Sequence, residues 1–244
     1  MLAGLQVATG LLGPFIPALA PGADILYWRH RWFSAWVEAC QPSLVIEIGA
    51  GLSTRGQTYA RCHPETTWVD LDLPGMVASR RQRGGVPNLP NYQLAAGDLL
   101  APPLAGELKP VAPGSTVVLT EGVMDYLDRP SKRRAWQAIA QLLRRCGGGR
   151  YLCEVYPLRQ FAPRLRPPGE MAGRWIQTAL RRANSSLWFH QDEALAWLRD
   201  SGFDQVRILT EDELPGAGQA IPAHRRAFCL IEARVETPAR AAAA

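Results

Sequence analysis

Gly49 and Gly51 close the apolar run Leu44, Val45, Ile46, Ile48, and Asp72 follows Gly51 by 21 residues. Such a run reads as a buried parallel strand. Glycines at its end let the backbone turn sharply and let a ligand approach with no Cβ in the way. Thr54 then opens a helix whose unpaired N–H groups point back at the loop. Asp72 ends the next strand, where a carboxylate can accept both hydroxyls of a ribose. Strand, glycine loop, helix, strand, acid is the layout of a nucleotide-type site.

Two other readings stand beside that one. Asp70 lies on the same side of its strand as Asp72, and only the strand-end position favours Asp72. The run Leu71-Asp72-Leu73-Pro74 also suits a helix start with Pro74 in its first turn.

The ligand can be narrowed further. A dinucleotide fingerprint wants a third glycine three positions after the second, for tight helix–strand packing around a pyrophosphate. Position 54 is threonine, which argues against NAD and FAD. Glu47, two places before Gly49, suits a cation better than a phosphate. S-adenosylmethionine carries an ammonium and a sulfonium beside its ribose and adenine, and the loop reads better for that cofactor.

The segments GAGLSTR (49–55), VDLDLP (69–74), GDLL (97–100) and EGVMDYL (121–127) resemble the leucine carboxyl methyltransferase group, which includes polyketide-associated O-methyltransferases. The resemblance is ordered over 25–155, thins from 156 to 189 and returns weakly in the C-terminal strands. It implies a Rossmann-like class I methyltransferase, an α/β fold with a mostly parallel seven-stranded sheet, helices on both faces and a small lid. It implies that Gly49, Ala50 and Gly51 hold the methionine moiety, and Asp72 the ribose with Leu73 beside it. Asp98 and Leu99 would flank the adenine, and Glu121 with Gly122 would lie under the cofactor at the end of strand four. Position 53 is serine where the group often has aspartate, and the N-terminal extension is short for the group.

The elements that must position these residues alternate along the chain, as in a parallel sheet covered on both faces. Helices are expected at 24–40, 54–62, 75–83, 130–145, near 170–182 and at 190–200. Strands are expected at 43–48, 66–71, 91–95, 115–120, 149–155, 204–209 and 226–233, the last two forming an antiparallel ending. One domain suffices: an N-terminal lid and helix (1–40), a cofactor-binding core (43–155), a lid insertion (156–189) and a C-terminal helix with strands (190–236).

Arg29 is the sharpest single residue. On a wheel of 24–40, Ile25, Trp28, Trp32, Phe33, Trp36 and Cys40 form one apolar stripe, and Arg29 falls roughly 30° from its centre. Arg31 falls outside it. A guanidinium on an inward face calls for an anion; the resemblance supplies one, the cofactor carboxylate. Snorkelling past the tryptophans to water is the alternative.

Asp98 after Gly97 also reads as a turn aspartate. Tyr126 lies where it can reach a substrate, or else packs with its hydroxyl tied to backbone. His190 opens the helix from Gln191 and is either a base for a hydroxyl acceptor or a plain helix-end residue. Segment 156–189 carries six arginines (159, 164, 166, 174, 181, 182) against Glu170, a surplus that equals the net charge of +5 for the whole chain. Tyr156, Phe161, Trp175, Trp188 and Phe189 interleave with them. That patch suits an acidic small-molecule or carrier-bound acceptor, or is a solvated lid whose arginines pair with surface acids. Nothing resembling an RNA-binding module accompanies it.

The expectation is therefore a cytoplasmic methyltransferase acting on a carboxylate. A hydroxyl methyltransferase of secondary metabolism and a non-catalytic methyltransferase-like binding protein are the alternatives. Cysteines 40, 62, 146, 153 and 229 make no C-x-x-C pair, so neither a disulfide framework nor a metal site is expected. Met1–Ala23 is apolar and lacks Lys and Arg, but prolines 14, 17 and 21 break it. It fits a lid or docking segment better than a signal peptide or a stable membrane insertion. Oligomeric state is left open.

Overall fold

The computed structural model describes residues 21–84, 86–101, 115–155, 191–213 and 228–236. Helix α1 (Pro21–Cys40) leads into β1 (Leu44–Ile48), α2 (Arg55–Cys62), β2 (Thr67–Asp72), α3 (Pro74–Gln82) and β3 (Tyr92–Ala96). Then come β4 (Thr116–Thr120), a 3-10 turn (Met124–Tyr126), α4 (Arg129–Arg145) and β5 (Gly149–Val155). Helix α5 (Gln191–Asp200), β6 (Gln205–Leu209), a second 3-10 turn (Glu211–Glu213) and β7 (Cys229–Val235) follow. Each described α-helix and strand matches its expected position to within a few residues, and neither 3-10 turn was expected. The helix expected near 170–182 lies outside the described residues, as do the lid insertion and His190.

The strands form one sheet in the order β3-β2-β1-β4-β5-β7-β6. The first five run parallel to one another, whereas β7 runs antiparallel to both β5 and β6. The antiparallel ending thus comes from β7 alone, inserted between β5 and β6. Reversal of chain order at β1 and β4 opens a crevice at the carboxyl ends of these strands, where ligands bind in open α/β sheets.

Alternation along each strand divides the core in two. Ile46, Ile48, Val118, Tyr151, Cys153 and Ile231 face α4 and α5, packing on Trp136, Ile139, Leu143 and Leu198. Val45, Trp68, Val117, Leu119, Leu152 and Leu230 face α1, α2 and α3, packing on Trp32, Phe33, Trp36, Val37, Ala60 and Val77. Trp28, Trp32, Phe33, Trp36 and Cys40 of the α1 stripe pack on this face as the wheel placed them, with Val37 added at 1% exposure.

Local signals account for the helix starts. Asp128 caps α4, accepting from Ser131 N–H at 2.8 Å with Pro130 in the first turn, and Arg144 and Arg145 face the negative end of the dipole. Pro74 opens α3. Thr54 opens α2 as its N-cap, its carbonyl accepting from Thr58 N–H at 3.0 Å, but its side chain makes no cap hydrogen bond, and it is Ser53 Oγ that accepts from Arg55 N–H, at 3.2 Å.

Candidate functional site

The glycine loop leaves β1 with Gly49 at φ 71° and Gly51 at φ 56°, in the left-handed region that favours glycine. A Cβ on Gly49 would run into the Val123 side chain, whereas on Gly51 the nearest atom would be Gly49 O at 3.9 Å. Gly49 is closed in by its neighbours, and Gly51 leaves room. Ala50 is buried between them.

Asp72 ends β2 facing this loop. Its Oδ2 accepts from Gly51 N–H at 2.6 Å and its Oδ1 from Leu73 N–H at 2.7 Å. Asp70 is a different kind of residue. It is fully buried, 2.9 Å from Arg80 Nη1, and accepts from Tyr92 O–H at 2.6 Å and Trp68 Nε1 at 2.8 Å. That carboxylate is consumed by the core, which leaves Asp72 as the acid of the crevice.

Gly97 N–H donates to Asp72 O at 2.8 Å, so the loop after β3 is tied to the end of β2. Asp98 Oδ1 accepts from Leu100 N–H at 2.8 Å, shaping a turn, and Leu99 is buried beneath it. Leu52 and Leu73, beside Gly51 and Asp72, are more than half exposed. Exposed leucines next to polar backbone suit a flat apolar ligand group with hydrogen-bonding edges.

The other end of the crevice is ionic. Asp70, Glu47, Glu121 and Glu154 come from the adjacent strands β2, β1, β4 and β5 or just beyond them, on the face covered by α1, α2 and α3. Arginines from those helices answer them. Arg55 of α2 donates Nη1 to Glu47 Oε1 at 2.7 Å and Nη2 to Glu121 Oε2. Arg29 of α1 donates Nε to Glu121 Oε1 at 3.0 Å and Nη1 to Glu154 Oε1 at 3.3 Å. Glu154 Oε1 also accepts from Gly122 N–H. With Arg80 on Asp70, four acids stand against three arginines. Glu47 Oε2 and Glu154 Oε2 are buried without a hydrogen bond among the described residues.

This row separates the acids by charge state. Burial works to raise the Glu121 carboxyl, but hydrogen bonds from His30 and Arg55 and the two guanidinium charges outweigh it, holding it at about 2. Burial dominates at Glu47, pushing it up to about 7 against the pull of Arg55. It dominates more at Glu154, pushed up to about 8. Glu121 is the fixed anion of the site, and the other two take protons readily.

Arg29 therefore lies inward as the wheel placed it, with 14% of its side chain exposed, and the anions it meets here are the chain's own. Gly122 makes room for it: a Cβ there would lie 3.0 Å from Arg29 Nη2. Arg31 points away, donating to Tyr27 O–H at 3.0 Å and stacking on Tyr27 and Trp28. Tyr126 is 69% exposed rather than packed. Reasoning from sequence missed Arg55, whose side chain is 4% exposed, and the buried pair Lys132–Asp125 at 3.7 Å. Burial pushes the Asp125 carboxyl up to about 6 against the charge of Lys132, and pulls the Lys132 amine down. The position of Arg55 at the first turn after the glycine loop was the signal for it.

No protein-family profile and no curated protein matches the sequence. Solved structures do. PigF with SAH superposes with a TM-score of 0.54 at 18% identity over 80% of this chain and 51% of that one. Human N-acetylserotonin methyltransferase in complex with SAM gives 0.54 at 15% identity, over 89% and 55%. The CurJ carbon methyltransferase gives 0.53 at 15%, over 80% and 49%. The fold is that of the class I methyltransferases. The chain spans about half the length of these structures. No described helix is long and apolar enough to cross a membrane.

Proposed function

We propose that the chain is a cytoplasmic S-adenosylmethionine-dependent O-methyltransferase whose acceptor is a carboxylate on a small or carrier-bound molecule. The observation that carries this reading is Asp72, a strand-end carboxylate facing the open Gly51 loop at the reversal point of a methyltransferase sheet. The residues fit the cofactor. Asp72 would hold the ribose, with Leu73, Asp98 and Leu99 around the adenine and the backbone of Gly49–Gly51 along the methionine moiety. Glu121, the fixed anion of the row, faces the cationic groups of the ligand, and Arg29 is the guanidinium for the ligand's carboxylate.

When bound, the cofactor supplies a sulfonium methyl for in-line displacement by an acceptor oxygen. The chain's part is then to align that oxygen and exclude water. A carboxylate is already ionised at neutral pH, so this needs no general base. Strand β5 ends at Val155 on the edge that carries Gly49, Asp72 and Glu121, and the residues next in sequence, 156–189, carry a surplus of arginines suited by charge to an acidic acceptor.

A hydroxyl acceptor is the second reading, favoured by one observation. Asp125, mostly buried and with its carboxyl near 6, is suited to accept a proton. Calorimetric titration with S-adenosylhomocysteine and with NAD tests the cofactor: binding of NAD alone would overturn it. The product tests the acceptor. A methyl ester releases methanol in mild base, whereas a base-stable product with activity lost in Asp125→Asn establishes the hydroxyl reading.

A further inference from the structure

Two arginines share Glu121, and they are held very differently. Arg55 is locked on every side: Nη1 on Glu47, Nη2 on Glu121, Nη2 also 3.4 Å from His30 O, and Nε on Ser34 Oγ at 3.1 Å. Its guanidinium lies over the Phe33 ring at 5.7 Å. The single side chain thus ties α2 to β1, to the end of β4 and to two turns of α1. Arg29 reaches Glu121 and Glu154 from the more open side, with over three times the exposure of Arg55.

We propose that Arg55 is the positioning residue of this site: it fixes Glu121 at the end of β4 and keeps it paired while Arg29 exchanges from Glu121 to an incoming carboxylate. The inference rests on the cofactor reading above and adds a division of labour between the arginines. Without Arg55, each departure of Arg29 would strand a buried carboxylate with no guanidinium, a state that resists formation. Arg29 would then stay with Glu121, and the ligand carboxylate would go unanswered. Arg55 touches no ligand in this account. It acts through Glu121, at the amino-acid end of the ligand and not at the nucleoside end, where Asp72 and Leu73 lie.

That difference is measurable. S-adenosylhomocysteine carries the amino-acid group, and 5′-methylthioadenosine carries the same nucleoside and thioether without it. Each is titrated calorimetrically into the unaltered chain and into Arg55→Met, Arg55→Lys, Glu121→Gln and Glu121→Gln/Arg55→Met, with thermal melting to confirm folding. Arg55→Met is expected to lose about tenfold or more in affinity for S-adenosylhomocysteine and less than about threefold for methylthioadenosine. Arg55→Lys, a charge without the fork, falls between. Once Glu121 is glutamine, Arg55→Met costs little more, because the residue it serves is no longer an ion.

Equal losses for the two ligands overturn the role of Arg55, since a merely structural tie loosens both ends alike. Full additivity with Glu121→Gln overturns it as well. If Arg55→Met does not fold, Arg55→Lys carries the same comparison of ligands. Failure of both nucleosides to bind the unaltered chain overturns the cofactor reading itself, and this inference with it.

Discussion

The two ends of the crevice are built from different materials. At the β1–β2 end the working groups are backbone: the Gly49–Gly51 loop, with Asp72 bonded to Gly51 N–H and leucines exposed around it. At the β4–β5 end they are side chains, with Glu121 and Glu154 meeting arginines from α1 and α2. Backbone geometry is set by a few consecutive residues. Side-chain geometry at the ionic end is set by partners 66, 92 and 125 positions apart in sequence, which only the packed helices bring together. The first end should fail by local strain and the second by stranded charge.

The largest effect expected is at the backbone end. Gly49→Ala forces a side chain into a left-handed backbone and drives its Cβ into Val123. Strain and overpacking together should destabilise the fold by about 4 kcal/mol, read as a drop in the denaturant midpoint. Adding Val123→Ala should recover about half of that, because it removes the collision and not the strain. Full recovery would show that the loop's φ is of no consequence.

Arg29→Ala attacks the other end. It leaves Glu154 with Gly122 N–H and without its guanidinium, and leaves Glu121 to Arg55. Affinity for S-adenosylhomocysteine should fall by about 3 kcal/mol, against under about 0.5 kcal/mol for Arg31→Ala, whose partners are surface aromatics. Equal effects would show that the inward face of α1 does not matter.

Asp72→Ala should cost about 2 kcal/mol, and equally for S-adenosylhomocysteine and methylthioadenosine, since both carry the ribose. That symmetry is the counterpart of the asymmetry expected at Arg55. An Asp72 effect confined to the amino-acid-bearing ligand would place the two ends the wrong way round.

Legibility in the sequence follows the same division. Element order came from alternating apolar runs, and the glycine loop and Asp72 from a motif confined to one βαβ unit. The choice between Asp70 and Asp72 could not be made from alternation, because both face the same side; what separates them is Tyr92, Trp68 and Arg80 closing around Asp70. Arg29 was legible because a helical wheel reports the inward face of one helix. Which anion it meets was not, because Glu121 and Glu154 arrive from strands far down the chain. Arg55 was passed over in the glycine motif for a related reason. A charged residue in the first turn of a short helix reads as solvated until α1 is laid across it.

A pH series tests the acid that the row holds least firmly. Glu154 is buried, with Oε1 on Arg29 and Gly122 and Oε2 without a hydrogen bond among the described residues. Burial pushes its carboxyl up to about 8, against the pull of Arg29. An acid raised in the folded state holds a proton there that the unfolded chain, with an ordinary carboxyl of about 4.3, has already released. Its stabilising share is therefore full below about pH 4 and is lost as the pH climbs through 8. Glutamine reproduces the neutral form at every pH. Glu154→Gln should thus gain on the unaltered chain steadily from pH 5 to pH 8.5, read as a widening gap between their melting temperatures. Glu47, pushed up to about 7, adds to the decline of the unaltered chain in the same direction and remains in the variant, so it cancels in the comparison. Glu121 runs the other way: held at about 2, its share is present above the ordinary carboxylate range and is lost only as the pH falls toward 2, outside this window. A difference between the two proteins that stays constant from pH 5 to 8.5 would show that Glu154 is ionised throughout. Arg29 would then be a firm partner of Glu154 rather than one ready to exchange.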